Sequence, residues 1–372
     1  MEKFKVAWLP GDGVGHDVME CARRVLDALE FDGEYVHGDI GWEFWKSEGN
    51  ALPERTKAIM RETDCALFGA ITSKPKDEAA RELAPELRPK GYVYFSPIVQ
   101  LRQEFNLHTN VRPCKAYPGN PLNYRDDIDI VIFRENTEGL YSGVEFFPLP
   151  PGVFEVLNAH HPKAGKFETF GLENVALSAR IMTRQACRNI VTRGFEYAQR
   201  TGRRTVTVVD KPNVLRETGG LMIRTAREVA ADYPDIELRE TNIDAQCMWL
   251  VKNPQDFEVI VAENMFGDIL SDLCAQLVGG LGFACSANLG DDYAVFEPTH
   301  GSAPKYAGQY KVNPTAMILT TRMMLEWLGE TEKASRLEEA MAAVIREGKV
   351  RTYDMGGTHT SLEVTEAVIS RL

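Results

Sequence analysis

The chain has 372 residues, 44% of them hydrophobic and 26% charged, with 54 Asp plus Glu against 42 Lys plus Arg for a net charge of −12. That length allows two domains or one large lobed unit, and the composition is that of an ordinary globular enzyme. The negative charge argues against nucleic acid or an anionic membrane as partner, so an anionic substrate must meet a local basic cluster.

Phe4 to Leu9 reads as a buried strand ending at Pro10. The glycine loop Gly11-Asp-Gly13-Val-Gly15 follows, then a helix from about Asp17 to Leu29. Strand, glycine loop and helix invite a dinucleotide-fold assignment, but His16 stands where the third glycine of Gly-x-Gly-x-x-Gly belongs. The loop reads instead as a tight turn that can still pass close to a ligand. Cys65 to Ile71 is a short apolar strand, and Ser73 to Gly91, with prolines at 75, 85 and 89, reads as a surface loop or short helix. Ser96-Pro-Ile-Val-Gln-Leu-Arg102 is helical in period, with Pro97 suited to a first turn, and leads into Thr109-Asn-Val-Arg112-Pro.

Ile128 to Phe133 is a strand that runs into Arg134-Glu-Asn-Thr-Glu-Gly-Leu-Tyr141. Phe146 to Lys166, rich in Pro, Gly and His, reads as an excursion from the main body, and a long helix is expected from about Glu173 to Arg200. Arg203 to Asp210 is a strand ending in Lys211-Pro-Asn213. Phe257 to Ala262 is another, giving out into a helix that carries Asp268 and Asp272, with Gly279, Gly280 and Gly282 beyond it for close approach. Asn313-Pro314 is a cap-plus-first-turn start for an apolar helix through Trp327, and a second helix spans about Glu332 to Arg346. Strands alternate with helices throughout, so the class is α/β.

Seven scattered cysteines (21, 65, 114, 187, 247, 274, 285), odd in number and without Cys-x-x-Cys, fit reduced thiols and a cytoplasmic protein. The N-terminal stretch from Met1 lacks a signal-peptide apolar core, and no run of about 20 apolar residues predicts a membrane span.

Asp268 and Asp272 stand four apart, so on a helix both carboxylates point at one spot. Their repulsion is relieved by a cation, and oxygen-only ligands suit Mg²⁺ or Mn²⁺; the bland alternative is a solvated helix face. Arg102, Arg112 and Arg134 end three successive elements, and if they converge they make a site for a di- or tricarboxylate, each guanidinium pairing bidentately. If they do not, they are surface arginines. Tyr141 after a strand is a candidate general acid or a half-buried phenol, and Lys211 a candidate proton carrier beside a metal or a solvated lysine. Asp244 is a third carboxylate or a helix cap. His300 lies in the Gly- and Pro-containing loop Glu-Pro-Thr-His-Gly-Ser-Ala-Pro-Lys-Tyr-Ala-Gly, which suits wrapping an adenine or phosphate.

Six stretches in register, Asp-Gly-Val-Gly, Leu-Arg-Gln-Glu…Asn-Val-Arg-Pro, Arg-Glu-Asn-Thr-Glu-Gly-Leu-Tyr-Ser-Gly, Asp-Lys-Pro-Asn, Asn-Met-Phe-Gly-Asp-Ile-Leu-Ser-Asp and His-Gly-Ser-Ala-Pro-Lys-Tyr-Ala-Gly, resemble the β-decarboxylating dehydrogenases over essentially the whole chain. That family includes isocitrate, 3-isopropylmalate and homoisocitrate dehydrogenases. The resemblance implies a two-domain, non-Rossmann α/β fold. Residues 1–107 and 279–372 would form a large cofactor domain. Residues 108–278 would form a small domain with substrate, metal and dimer surfaces, and a clasp at about 146–166. It further implies a homodimer with shared sites. Arg102, Arg112 and Arg134, with Ser96, Ile98 and Asn213, would bind substrate; Asp268 and Asp272, with Asp244 of a neighbouring copy, would hold the metal. Tyr141 and the neighbour's Lys211 would be the acid–base pair. His300, Gly301, Ser302, Ala303, Lys305, Tyr306, Asn313 and Tyr353 would hold the cofactor.

Lys305 stands where NAD-using members carry an acid, and Tyr353 resembles a second contact to the 2′-phosphate, so NADP is expected. Gly356-Gly357, where such enzymes place an arginine, keeps NAD open. Ser96 fits a bond to the third carboxylate of isocitrate, whereas Ile98-Val99 resembles the apolar pocket for an isopropyl group. Isocitrate is the expected substrate, with 3-isopropylmalate or homoisocitrate as alternatives. A catalytically poor regulatory subunit is a further alternative, although such subunits typically lose one of the residues present here.

Overall fold

Cys65–Ala70, Thr205–Asp210 and Val259–Ala262 are buried at every position. Strands without apolar–polar alternation belong inside a parallel sheet covered on both faces, and that is where these lie in the computed structural model, which describes residues 3–372. Only Met1 and Glu2 of the expected N-terminal stretch fall outside the described residues.

In chain order the strands are β1 (Phe4–Gly11), β2 (Gly33–His37), β3 (Cys65–Ala70), β4 (Thr109–Lys115), β5 (Asp129–Glu135), β6 (Glu145–Phe146), β7 (Leu177–Ser178), β8 (Thr205–Asp210), β9 (Glu237–Asn242), β10 (Val259–Ala262), β11 (Cys285–Leu289) and β12 (Ala294–Pro298). Ten form one sheet in the order β2-β1-β3-β12-β11-β4-β5-β10-β8-β9, and β6 pairs with β7 apart from it. The strands β2, β1, β3 and β12 are mutually parallel, as are β5, β10, β8 and β9. Antiparallel pairings of β11 with β12, β11 with β4, and β4 with β5 join the two blocks. One half of the sheet therefore comes from both chain ends and the other from the middle, meeting where Ala287–Leu289 face Val111–Thr109. The mixed order is not that of a dinucleotide fold, in agreement with the failed glycine fingerprint.

The helices Gly15–Ala28, Arg184–Thr201, Thr218–Ala230, Thr315–Trp327 and Thr331–Glu347 cover one face, burying a single continuous apolar cluster from Val6 to Val368. The Asn264–Leu277 helix packs with Ile130, Ile132 and Ile260 on the opposite face. Among the described residues no helix is long and apolar enough to cross a membrane.

The long helix expected from Glu173 starts at Arg184 instead. Thr183 caps it, its hydroxyl accepting from the Ala186 N–H at 3.1 Å, while Glu138 accepts from the Thr183 backbone at 2.6 Å. Leu177–Ser178 is thus freed to pair with Glu145–Phe146 as β7 on β6. The stretch after Phe146 carries a helix, Pro151–His160, and exposes Phe147 and Val156. The glycine loop of residues 11–15 runs close against neighbouring backbone. A Cβ on Gly13 would lie 2.2 Å from the Ser302 carbonyl, and one on Gly11 2.0 Å from that of Ala70.

Candidate active site

The central antiparallel strands aim the arginines. Asn110 of β4 faces both Arg134 of β5 and Asn288 of β11 in register. Arg112 lies two residues beyond Asn110, so its side chain projects from the same face. Arg102 arrives from the last turn of the Pro97–Glu104 helix. All three arginines are buried, and each is held by polar groups rather than left to solvent. Asn288 Oδ1 accepts from Arg102 Nε at 3.0 Å, from Asn110 Nδ2 at 3.0 Å and from Asn136 Nδ2 at 2.9 Å. Glu297 accepts from Arg102 at 3.3 Å, and Asn110 accepts from Arg112 Nε at 2.7 Å.

Opposite them lies the Asn264–Leu277 helix. Glu263 caps it, accepting from the Phe266 N–H at 2.9 Å, and Gly267 lets it lie directly on Arg134, whose Cγ would sit 2.7 Å from a Cβ there. Asn264 accepts from Arg134 Nε and Nη2 at 3.0 and 2.8 Å. Asp268 is bonded by Arg134 Nη1 and by the Tyr141 hydroxyl, the latter at 2.6 Å. Arg112 Nη1 sits between the two acids, 3.4 Å from Asp268 and 3.2 Å from Asp272. Both carboxylates lie beside one positive charge, Arg112 Nη1, and as oxygen donors they are of the type that Mg²⁺ takes.

Burial pushes the Asp268 carboxyl up, but Arg134, Arg112 and the Tyr141 hydroxyl outweigh it and leave the group below its ordinary value. Asp272 is raised, chiefly by burial, with Asp268 adding to it. Burial and the bond to Asp268 raise Tyr141, so its phenol is neutral and able to donate a proton. Arg134 is lowered to about 10 by burial and then by the like charges of Arg102 and Arg112. Three guanidiniums held this close repel, and an anion between them relieves that cost.

Lys211 and Asp244 bond each other rather than Asp268 or Asp272. Asp244 lies in the first turn of the Ile243–Lys252 helix without capping it. Asn213 is exposed in the turn after β8. Among the described residues no group of three or more His, Cys, Asp or Glu side chains is placed to hold a metal ion. One chain therefore brings two of the three expected carboxylates to one place.

Ser96 precedes the Pro97–Glu104 helix yet makes no capping bond, leaving its hydroxyl open at a helix N-terminus. Ile98 packs on the apolar cluster of Leu101, Leu107 and Val295. On the cofactor side, Ser302 is buried and bonds Thr72 at 2.6 Å, and its carbonyl accepts from the Val14 N–H at 2.8 Å. Ala303 has a positive φ of 35° after the exposed Gly301. Burial lowers His300, keeping it neutral, and its Nε2 is shielded without a hydrogen bond, as is the Thr299 hydroxyl. Asn313 donates to Asp354 at 3.0 Å and accepts from the Thr315 N–H. The rings of Tyr306 and Tyr353 lie 5.8 Å apart. These orphaned polar atoms and tilted rings fit an aromatic, hydrogen-bonding cofactor.

Asn110, Asn264, Asn288 and Glu297, which hold the arginines, were not singled out in the sequence. Asn264 alone carried a signal, as the first helical residue before Asp268.

The profile of a family described as isocitrate/isopropylmalate dehydrogenase matches residues 5–369. The chain is 41% identical over 372 residues to the 3-isopropylmalate dehydrogenase of Methanothermobacter thermautotrophicus, covering all of this chain and 99% of that one. It is 42% identical to protein DlpA of Legionella pneumophila, over 99% of this chain but only 58% of that longer protein. The crystal structure of isocitrate dehydrogenase from Methylococcus capsulatus superposes with a TM-score of 0.85 at 36% identity, covering 99% of each chain.

Proposed function

The chain belongs to the isocitrate/isopropylmalate dehydrogenase family, and we propose that it oxidatively decarboxylates isocitrate to 2-oxoglutarate with NADP and Mg²⁺ or Mn²⁺. The observation that carries this is the buried trio Arg102, Arg112 and Arg134 facing Asp268 and Asp272 across one site.

Arg102, Arg112 and Arg134 clamp the carboxylates of the malate core. Asp268 and Asp272, with Asp244 of a second copy, are the residues that would hold the divalent ion. When bound, it supplies the positive charge that lowers the substrate hydroxyl's pKa and stabilises the enolate left when carbon dioxide departs. Lys211 of that second copy takes the hydroxyl proton as hydride passes from C2 to the nicotinamide. Tyr141, held neutral, then protonates the carbon. The unbonded Ser96 hydroxyl at a helix N-terminus favours a third carboxylate, which is why isocitrate is placed first. The apolar packing of Ile98 favours 3-isopropylmalate as the second reading.

A homodimer is part of the proposal. Met248, Trp249, Val251 and Ile269 are exposed on the Ile243–Lys252 and Asn264–Leu277 helices, an apolar face that a second copy would cover. Residues 1–107 with 279–372 and residues 108–278 would be its two domains, divided at the β11–β4 seam. Seven free cysteines support a cytoplasmic location. The test is hydride transfer with isocitrate, homoisocitrate and isopropylmalate, each with NADP and NAD, in the presence of Mg²⁺. Isocitrate with NADP should give the highest kcat/KM, and a clear preference for isopropylmalate would transfer the assignment.

A further inference from the structure

Three charged side chains are buried together beside the N-terminus of the Asn264–Leu277 helix. Asp210, the last residue of β8, is fully buried, the Glu263 side chain is 1% exposed and that of Arg180 9%. Arg180 forks onto Asp210, with Nη2 2.9 Å from Oδ2 and Nη1 3.3 Å from Oδ1, and Nη1 also donates to the Thr218 hydroxyl at 3.0 Å. Its Nε faces Glu263 Oε2 at 3.7 Å, and neither of those atoms has a hydrogen bond among the described residues. The guanidinium carbon lies 5.2 Å from the centre of the Phe266 ring. A cation this deep needs partners, and two acids on different elements fix where it can lie.

Each neighbour of Arg180 leads to a group of the proposed chemistry. Asp210 Oδ1 accepts from the Lys211 N–H at 2.7 Å and so holds the turn that carries Lys211. Glu263 caps, through Oε1, the helix that carries Asp268 and Asp272. Ile181, next in sequence to Arg180, pairs with Gly139, whose N–H donates to the Ile181 carbonyl at 2.8 Å. Tyr141 follows two residues later, in the Leu140–Ser142 turn. Gly139 has a positive φ of 74°, and a Cβ there would lie 2.7 Å from Glu263 Oε2, so the start of the Tyr141 turn rests on the same carboxylate. We infer that Arg180 is a positioning residue, keying the Lys211 turn to the Glu263 cap and the Tyr141 turn, so that one guanidinium sets groups serving the sites of two copies. The inference rests on Tyr141 and Lys211 being the acid–base pair.

The alternative is that Arg180 only neutralises two buried acids, and lysine separates the two roles. Arg180→Lys keeps the charge but cannot fork onto Asp210 and reach Glu263 at once. It should hold Tm near native yet lower kcat about a hundredfold, the cost of misplacing reacting groups by about 1 Å. Substrate Kd in EDTA, set by Arg102, Arg112 and Arg134, should stay nearly constant. Glu263→Gln keeps the capping acceptor and removes the charge facing Arg180. It should lower kcat in the same way, and the two losses should not multiply in the double variant. Turnover is measured with whichever of isocitrate, homoisocitrate and isopropylmalate the native enzyme uses best, which frees the test from the substrate assignment. Native kcat in both variants, or a fall in kcat only in step with Tm or with Kd, overturns the positioning role. Tyr141→Phe and Lys211→Met are measured alongside. If those two turn over normally, the acid–base assignment fails and the inference falls with it. If they are inactive while Arg180→Lys and Glu263→Gln are native, the role of Arg180 alone is overturned.

Discussion

In this structure Asp268 does for the arginines what a substrate carboxylate would do. It is bonded by Arg134 and Tyr141 and lies 3.4 Å from Arg112. Asp268→Asn keeps the shape and one acceptor but removes the charge. Breaking a buried ion pair from one side costs about 3–5 kcal/mol. Asp268 is one-third exposed, and Asn264 still holds Arg134, so a loss of about 2 kcal/mol is expected after allowing for solvent screening. For a chain of this size that is a fall in Tm of roughly 3 °C. The ligand response should reverse sign with metal. In EDTA, Asp268 competes with the substrate for Arg134 and Arg112, so the Asn variant should bind isocitrate about tenfold more tightly than native protein. With Mg²⁺ present, native protein should bind more tightly and the variant should turn over poorly. Calorimetric titration in EDTA and in Mg²⁺ reads both limbs. Equal or weaker binding by the variant in EDTA would refute the competition on which this picture depends.

The acid limb of stability gives a second check. Asp268 has its carboxyl lowered in the folded state, so its contribution is present above its ordinary value of 3.8 and is lost as pH falls below it. The stability gap between native protein and Asp268→Asn should therefore close below that pH in urea titrations, and a gap that widens would contradict the sign. Ser96→Ala should lower kcat/KM for isocitrate far more than for isopropylmalate; equal losses would remove its role. Burial pushes Cys21, Cys187 and Cys285 up to about 12 and raises Cys65 and Cys247, while a hydrogen bond with Cys274, and then burial, raises Cys114. A thiol reagent at pH 8 should thus titrate at most Cys247 before unfolding, and rapid labelling of three or more would contradict the buried placement. Met248→Glu should shift the sedimenting species toward monomer with parallel loss of turnover, whereas an unchanged assembly would move the dimer face elsewhere.

The carboxylate pair was legible because helical spacing places Asp268 and Asp272 on one face whatever surrounds them. The convergence of the arginines was not. It depends on β11 pairing between β4 and β12, which sets Asn288 opposite Asn110 and gives Arg102 its partner. That long-range register leaves no local trace in the sequence, although Gly290-Asp291-Asp292 between β11 and β12 is a local hairpin signal. Edge strand β9, Glu-Leu-Arg-Glu-Thr-Asn, passed unread because its composition is polar. The helix expected from Glu173 was misplaced because its true start is fixed by Glu138, distant in sequence, which bonds Thr183.

The most direct measurement follows NADPH and carbon dioxide together during turnover of isocitrate, first in EDTA and then after Mg²⁺ is restored. The two products should appear one for one, only with the metal, and should vanish in Asp272→Asn. NADPH formed without carbon dioxide, or turnover indifferent to EDTA, would contradict a metal-assisted decarboxylation at this pair of acids.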